Sequence, residues 1–200
     1  MEVDPLETVQ QSSEQVAQDR AISRLNTLVA ITVAILATFM GICKIKDDNI
    51  VQSMQQAQAN KIDHWAFYQA RNIREELAKA TLLQLQLNAA GAGPAAKRYQ
   101  EATSHYQALA EEQSKKKEEL KAQADQDQKD YDAANFRDDQ FDLSDALLAI
   151  SISLLAVTAL TRKRWLYAVA MVPTAFGMLM GLSGLLGWSI HPTGLIKLLS

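Results

Sequence analysis

The residues of this chain that could do chemistry are clustered carboxylates, three imidazoles and one thiol. The carboxylates of DQDQKDYD, Asp125 to Asp132, have the density that a hard cation such as calcium requires. A calcium loop also needs glycine at its sixth position for the sharp turn and glutamate at its twelfth to ligate through both oxygens, and Asp130 and Phe136 stand there instead. The run reads as a solvated acidic helix face. His64, His105 and His191 are the only imidazoles, and none lies in an HExxH pair or a triad context. Cys43 is the single cysteine, which leaves no intramolecular disulfide; it reads as a small apolar residue at a helix end. The basic run KKKEELK, Lys115 to Lys121, is offset by Glu118 and Glu119, the pattern of a wet helix face rather than of a nucleic-acid site. No GxSxG elbow, phosphate loop or dinucleotide fingerprint occurs. These absences point away from an enzyme, a cofactor, a metal, nucleic acid and a small-molecule substrate.

What remains depends on the elements that place the residues. Of 43 charged residues, 31 lie between Lys44 and Leu143, so the chain divides into apolar and aqueous parts. Residues 25–43 run 19 positions without a charge, close to the ~20 that a helix needs to cross a bilayer. A second apolar run, Ala146 to Leu160, extended back to Phe141 puts Asp142 and Asp145 at headgroup level, and the second span is set at 144–161. The third, 165–190, is uncharged for 26 residues and contains Pro173, which a membrane helix accommodates as a kink. Three transmembrane helices are expected. Arg162, Lys163 and Arg164 form the densest basic cluster in a short connection, which with Arg20 and Arg24 places the N-terminus in the cytoplasm and 44–143 on the outer side. Lys44, Lys46, Lys129 and Arg137 count the other way, but within a 100-residue segment of the kind that translocates regardless of charge.

Within 44–143 the strongest helix breaker is GAGP, 91–94, and it sits in the middle: 47 residues precede it from Lys44 and 49 follow it to Leu143. Neither arm has an internal proline or glycine, and both are rich in Ala, Gln, Glu, Lys and Leu. Glycine ends a helix and proline suits the first turn of the next. The expectation is an all-α membrane protein with a long antiparallel, coiled-coil-like helical hairpin between its first and second spans. Each arm would reach roughly 70 Å. Opposed residue numbers should then sum to roughly 185, which pairs Trp65 with Leu120. His64 and His105 sum to 169 and fall roughly 24 Å apart at helical rise, so they share no zinc site. In the second arm Tyr99, Tyr106, Leu120, Ala134 and Phe141 recur at multiples of seven, with Gln113 and Asp127 interrupting; in the first, Val51, Ile62 and Ile73 are eleven apart. The two periods disagree, which predicts a loosely packed hairpin that gains rigidity from a further helix or from neighbouring copies. Trp65, Phe67 and Tyr68 read as hairpin core or as a docking patch.

In the third span Gly177 and Gly181 form a GxxxG pair continued by Gly184, and Ala30, Ala34, Ala149 and Ser153 offer small faces on the other spans. Such faces serve packing within one bundle or contact between subunits. Residues 1–24 are a polar, partly helical segment, and 191–200 a short interfacial tail.

The passage 37–77, with KDDN after the first span, the glutamine-rich MQQAQ and the run W-x-x-YQAR-x-IR, resembles the signature region of the family known as domain of unknown function 4337. The resemblance implies a bacterial cell membrane, brings no activity or cofactor, and draws attention to the membrane junction of Lys46, Asp47, Asp48 and Asn49. The expected function is a non-enzymatic membrane scaffold or accessory subunit, a homo-oligomer or the partner of another membrane protein, with contacts through Trp65, Tyr68, Leu120, Gly177, Gly181 and Gly184. The alternative is a homo-oligomeric channel or transport component, with Ser151, Ser153 and Thr158 along a path and Lys46, Asp47 and Asp48 at its mouth.

Overall fold

The structure, a computed structural model, describes residues 5–89 and 93–190, with side-chain surroundings from residue 15 onward. The first half of the GAGP breaker, His191 and the expected tail at 191–200 lie outside the described residues. Among the described residues there is no strand. Helix α1 runs Pro5–Ala89, a 3-10 turn Gly93–Ala95 precedes α2, Ala96–Thr161, and α3 spans Arg164–Leu186. Gly93 takes φ 46, the left-handed conformation expected of a glycine at this break. Each of the three helices contains a stretch long and apolar enough to cross a membrane.

The chain forms two compact units: one of residues up to 51 and from 135 onward, the other of 52–134. The first is a three-helix bundle. Leu25, Val29, Leu36 and Cys43 step along α1 by four, seven and seven, so they share one stripe, and all are buried. Val29 and Leu36 pack with Leu148 and Leu155 of α2 and Ala170 of α3. The glycines of α3 make close approach possible. A Cβ on Gly177 would lie 2.9 Å from Leu148, one on Gly181 2.6 Å from the Phe39 ring, and one on Gly184 2.8 Å from Phe141. The GxxxG face is thus occupied by the chain's own α1 and α2, whereas Ala30, Ala34, Ala149 and Ser153 are exposed. Arg162, at φ 58, turns the chain out of α2 while its N–H donates to Thr158 O at 2.8 Å. Gly187, at φ 70, closes α3: its N–H and that of Trp188 both donate to Ser183 O.

In the second unit α1 and α2 run antiparallel. Arg71 donates to Gln113 at 3.0 Å, Lys117 to Asn72 at 3.2 Å, and His64 Nδ1 meets Asp127 at 2.6 Å. These pairs sum to 184, 189 and 191, close to the expected register. The upper sums set Trp65 level with Ala124 to Gln126, between one and two turns from the expected Leu120.

The composition of the seam differs from the expectation. On α1 the residues facing the other arm are Ala57, His64, Arg71, Ala78 and Leu85, all seven apart and buried or half-buried. On α2 they include Tyr106, Gln113, Leu120, Asp127 and Ala134, also seven apart. Both arms therefore keep the same period. The eleven-residue series is therefore not the seam: Ile62 and Ile73 are exposed on the opposite side of α1. Gln113 and Asp127 belong to the seam, because Arg71 and His64 satisfy them across it.

Candidate functional site

Two arrangements of polar side chains stand out, one in each unit. In the bundle unit the expected junction KDDN is split by the helix. Lys46, Asp48 and Asn49 are exposed, Asn49 Nδ2 donating to Ile45 O at 2.9 Å, while Asp47 is turned inward and only 3% exposed. Lys44 reaches Asp47 at 2.8 Å and Asp48 at 3.5 Å, and the Asp47 carboxylate holds the Lys44 ammonium well above the usual lysine range. Asp138 lies on α2, and its carboxyl is pushed up to about 7, first by burial and then by Asp47 and neighbouring Asp142 and Asp139.

Two residues further along α2, Gln140 is fully buried, and the two N–H groups of its Nε2 are shared among Ser183 Oγ at 3.0 Å, Trp188 O at 2.9 Å and Ile190 O at 2.6 Å. Ser144 Oγ donates to Gly177 O at 2.8 Å and lies 2.7 Å from where a Cβ on Gly181 would stand. Gln140 ties the end of α3 to α2, and Ser144 ties its middle. Sequence reasoning missed Asp138, Gln140 and Ser144. A signal existed in RDDQFDLSD, since Gln140, Ser144, Ser151 and Thr158 step by four, seven and seven along one face.

The hydroxyls expected along a transport path differ in burial and share one kind of bond. Ser151 and Thr158 are fully buried and donate to Leu147 O and Leu154 O, both at 2.8 Å, one turn back in their own helix. Ser153 is exposed and donates to Ala149 O at 2.9 Å. Among the described residues, no group of three or more His, Cys, Asp or Glu side chains is arranged to hold a metal ion.

In the hairpin unit the seam is a ladder of charged and amide groups. Glu75, 3% exposed, takes Lys79 of its own helix and Lys117 of α2, each at 2.6 Å. Those two ammonium groups, Lys117 first, hold the Glu75 carboxyl down to about 2. Lys61 donates to Gln128 beside the His64–Asp127 pair. Trp65 and Tyr68 are half-buried and stack edge to face with centroids 5.1 Å apart, Leu120 is half-buried, and Phe67 is exposed. The bulk of the apolar side chains of this part of α1 thus lies away from the seam, on the solvent side.

No curated protein and no solved structure matches the chain. A family does: the segment from the first apolar run to the end of α3, residues 25–187, matches the family described as a domain of unknown function (DUF4337), and the chain belongs to it.

Proposed function

We propose that this chain is a non-enzymatic integral membrane scaffold or accessory subunit that presents a helical hairpin in the aqueous space for self-association or for binding a membrane-protein partner. The apolar windows of the three helices serve as spans in the cell membrane of a bacterium, with the N-terminus cytoplasmic and the hairpin on the outer side. One observation carries the reading: the hairpin holds its arms together with polar pairs and turns isoleucines and leucines of α1 outward. A water-exposed hairpin that served only itself would do the reverse, because burial of apolar area is the larger stabilising term. The side chains facing out are those of a surface meant to be covered. The commitment of Ser151 and Thr158 to helix carbonyls supports the scaffold over the channel.

Two measurements test this. Single cysteines in place of Asn60 and Asp125 should both react with an impermeant maleimide from the same side of intact membranes; labelling from opposite sides would overturn the architecture. Native mass spectrometry of gently solubilised protein should show complexes larger than one chain, and lone monomers would overturn the scaffold role.

A further inference from the structure

The outward face of α1 in the hairpin unit has a regular pattern. Ala59, Ala66, Ile73, Ala80 and Leu87 follow one another at intervals of seven, and all are exposed. Ile62 and Leu83 stand three residues after Ala59 and Ala80, the second apolar position of a heptad. Ile62, Ile73, Leu77, Leu83 and Leu87 are 58 to 69% exposed. At 3.6 residues per turn, all of these except Leu83 fall within about 40° of Ile73, opposite the polar seam. The outer face of α2 is the reverse: Glu111, Glu112, Lys115, Glu118 and Lys121 are exposed there. One hairpin therefore carries one wet back and one apolar back.

The strip from Ala59 to Leu87 is about 42 Å long and roughly 10 Å wide, of the order of 400 Å² interrupted by Gln69 and Glu76, the size of the largest, often functional, patch on a typical protein. We propose that its occupant is the same strip of a second copy of this chain, packed parallel and in register as a two-stranded coiled coil. This rests on the scaffold reading above, and membrane insertion supplies its geometry. Copies inserted in one membrane run α1 in the same direction from the same starting height, so like residues meet and the rotational cost of docking is reduced before contact.

The polar residues within the strip select this partner. Gln69 and Glu76 occupy the heptad positions between Ile62 and Leu83. In register, each Gln69 amide meets its own image and both donates and accepts. Glu76 meets another Glu76, but Lys79, already 3.2 Å from Glu76 within its own chain, is placed to share that contact with the second copy's carboxylate. A sliding of one heptad would set one Gln69 against Ile62 and one Glu76 against Leu83, leaving each without a polar partner. Alanines at 59, 66 and 80 face alanines, which lets the helices approach closely there.

The test uses the full chain with Cys43→Ala, in native membranes, carrying one cysteine at a time. Under mild oxidation, Ala66→Cys, Ile73→Cys and Ala80→Cys should each give disulfide-linked dimer at no less than ten times the yield of Glu111→Cys and Glu118→Cys on the α2 back. Ile73→Glu added to Ala66→Cys should lower its dimer yield about tenfold, while resistance to alkaline extraction and helical circular dichroism stay unchanged. Equal yields on the two backs, or an Ala66→Cys dimer indifferent to Ile73→Glu, would overturn the pairing. If these fail while native masses show a complex with a different protein, the scaffold reading stands and the self-pairing falls; if only lone monomers exist, both fall.

Discussion

Asp138 and Glu75 are both tied to charged neighbours, and they respond to pH in opposite directions. Asp138 keeps its proton in the folded chain up to about 7, against an ordinary 3.8. Between those values the folded chain binds the extra proton, so the contribution is complete below the lower value and is lost as pH rises through the upper one. Asp138→Asn is neutral at every pH. It should flatten thermal stability across this range and raise it at pH 8 by about 1–2 kcal/mol, allowing for partial exposure; melting followed by circular dichroism at pH 4, 6 and 8 checks it. Glu75, held down to about 2 from 4.5, contributes stability above the upper value that disappears as pH falls through the lower. Glu75→Gln should cost about 1–2 kcal/mol at pH 7, discounted because the hairpin is only two helices thick and open to water. Hydrogen exchange at 70–80 should read it. Neither role was legible beforehand, because a carboxylate's burial depends on which residue of another helix lies against it.

At the scale of the element, α3 and the hairpin arms show how far periodicity reaches. The spacing of Gly177, Gly181 and Gly184 announced a close-packed face, and the structure supplies its partners, Leu148, Phe39 and Phe141. Gly181→Ala should destabilise the bundle by about 1–3 kcal/mol, since its methyl would meet the Phe39 ring and Ser144 Oγ at 2.6 and 2.7 Å. Gly41→Ala, with nothing within 4 Å, should be neutral or stabilising by helix propensity. The two variants compared by thermal melting in one detergent separate packing from backbone effects. In the hairpin, the arms were readable and their register to within one to two turns, whereas the seam was not. Apolar spacing marks whichever face is most hydrophobic, and here that face points away from the partner helix. Replacing Arg71 by Met together with Gln113 by Leu should therefore leave the hairpin as stable or more so, while either change alone lowers its unfolding free energy by about 1–3 kcal/mol through the partner left unsatisfied. Denaturation monitored by hydrogen exchange over 52–134 distinguishes these outcomes.

At the scale of the whole molecule, the opposite linkages imply that the two units have different pH optima. Hydrogen exchange should show protection in 52–134 falling below pH 4.5 as Glu75 protonates, and protection in 135–161 falling as pH rises towards 7. Uniform change across both units would contradict the assignment of these groups. The sequence by itself determined the order and kind of the helices, the three apolar stretches, the central break and the family. Those properties follow from local composition, which acts through helix propensity and through the length a bilayer demands, and needs no knowledge of what packs against what. Only the tertiary structure decided which face of each helix is inside. It brought Asp47 to Asp138, set Gln140 against the end of α3, put Glu75 between two lysines, and left Ile62, Ile73 and Leu77 in water. A face is chosen by the sum of contacts over both helices, and a polar face that is fully paired can displace an apolar one from the interior, an outcome that no count of hydrophobic residues along a single helix contains.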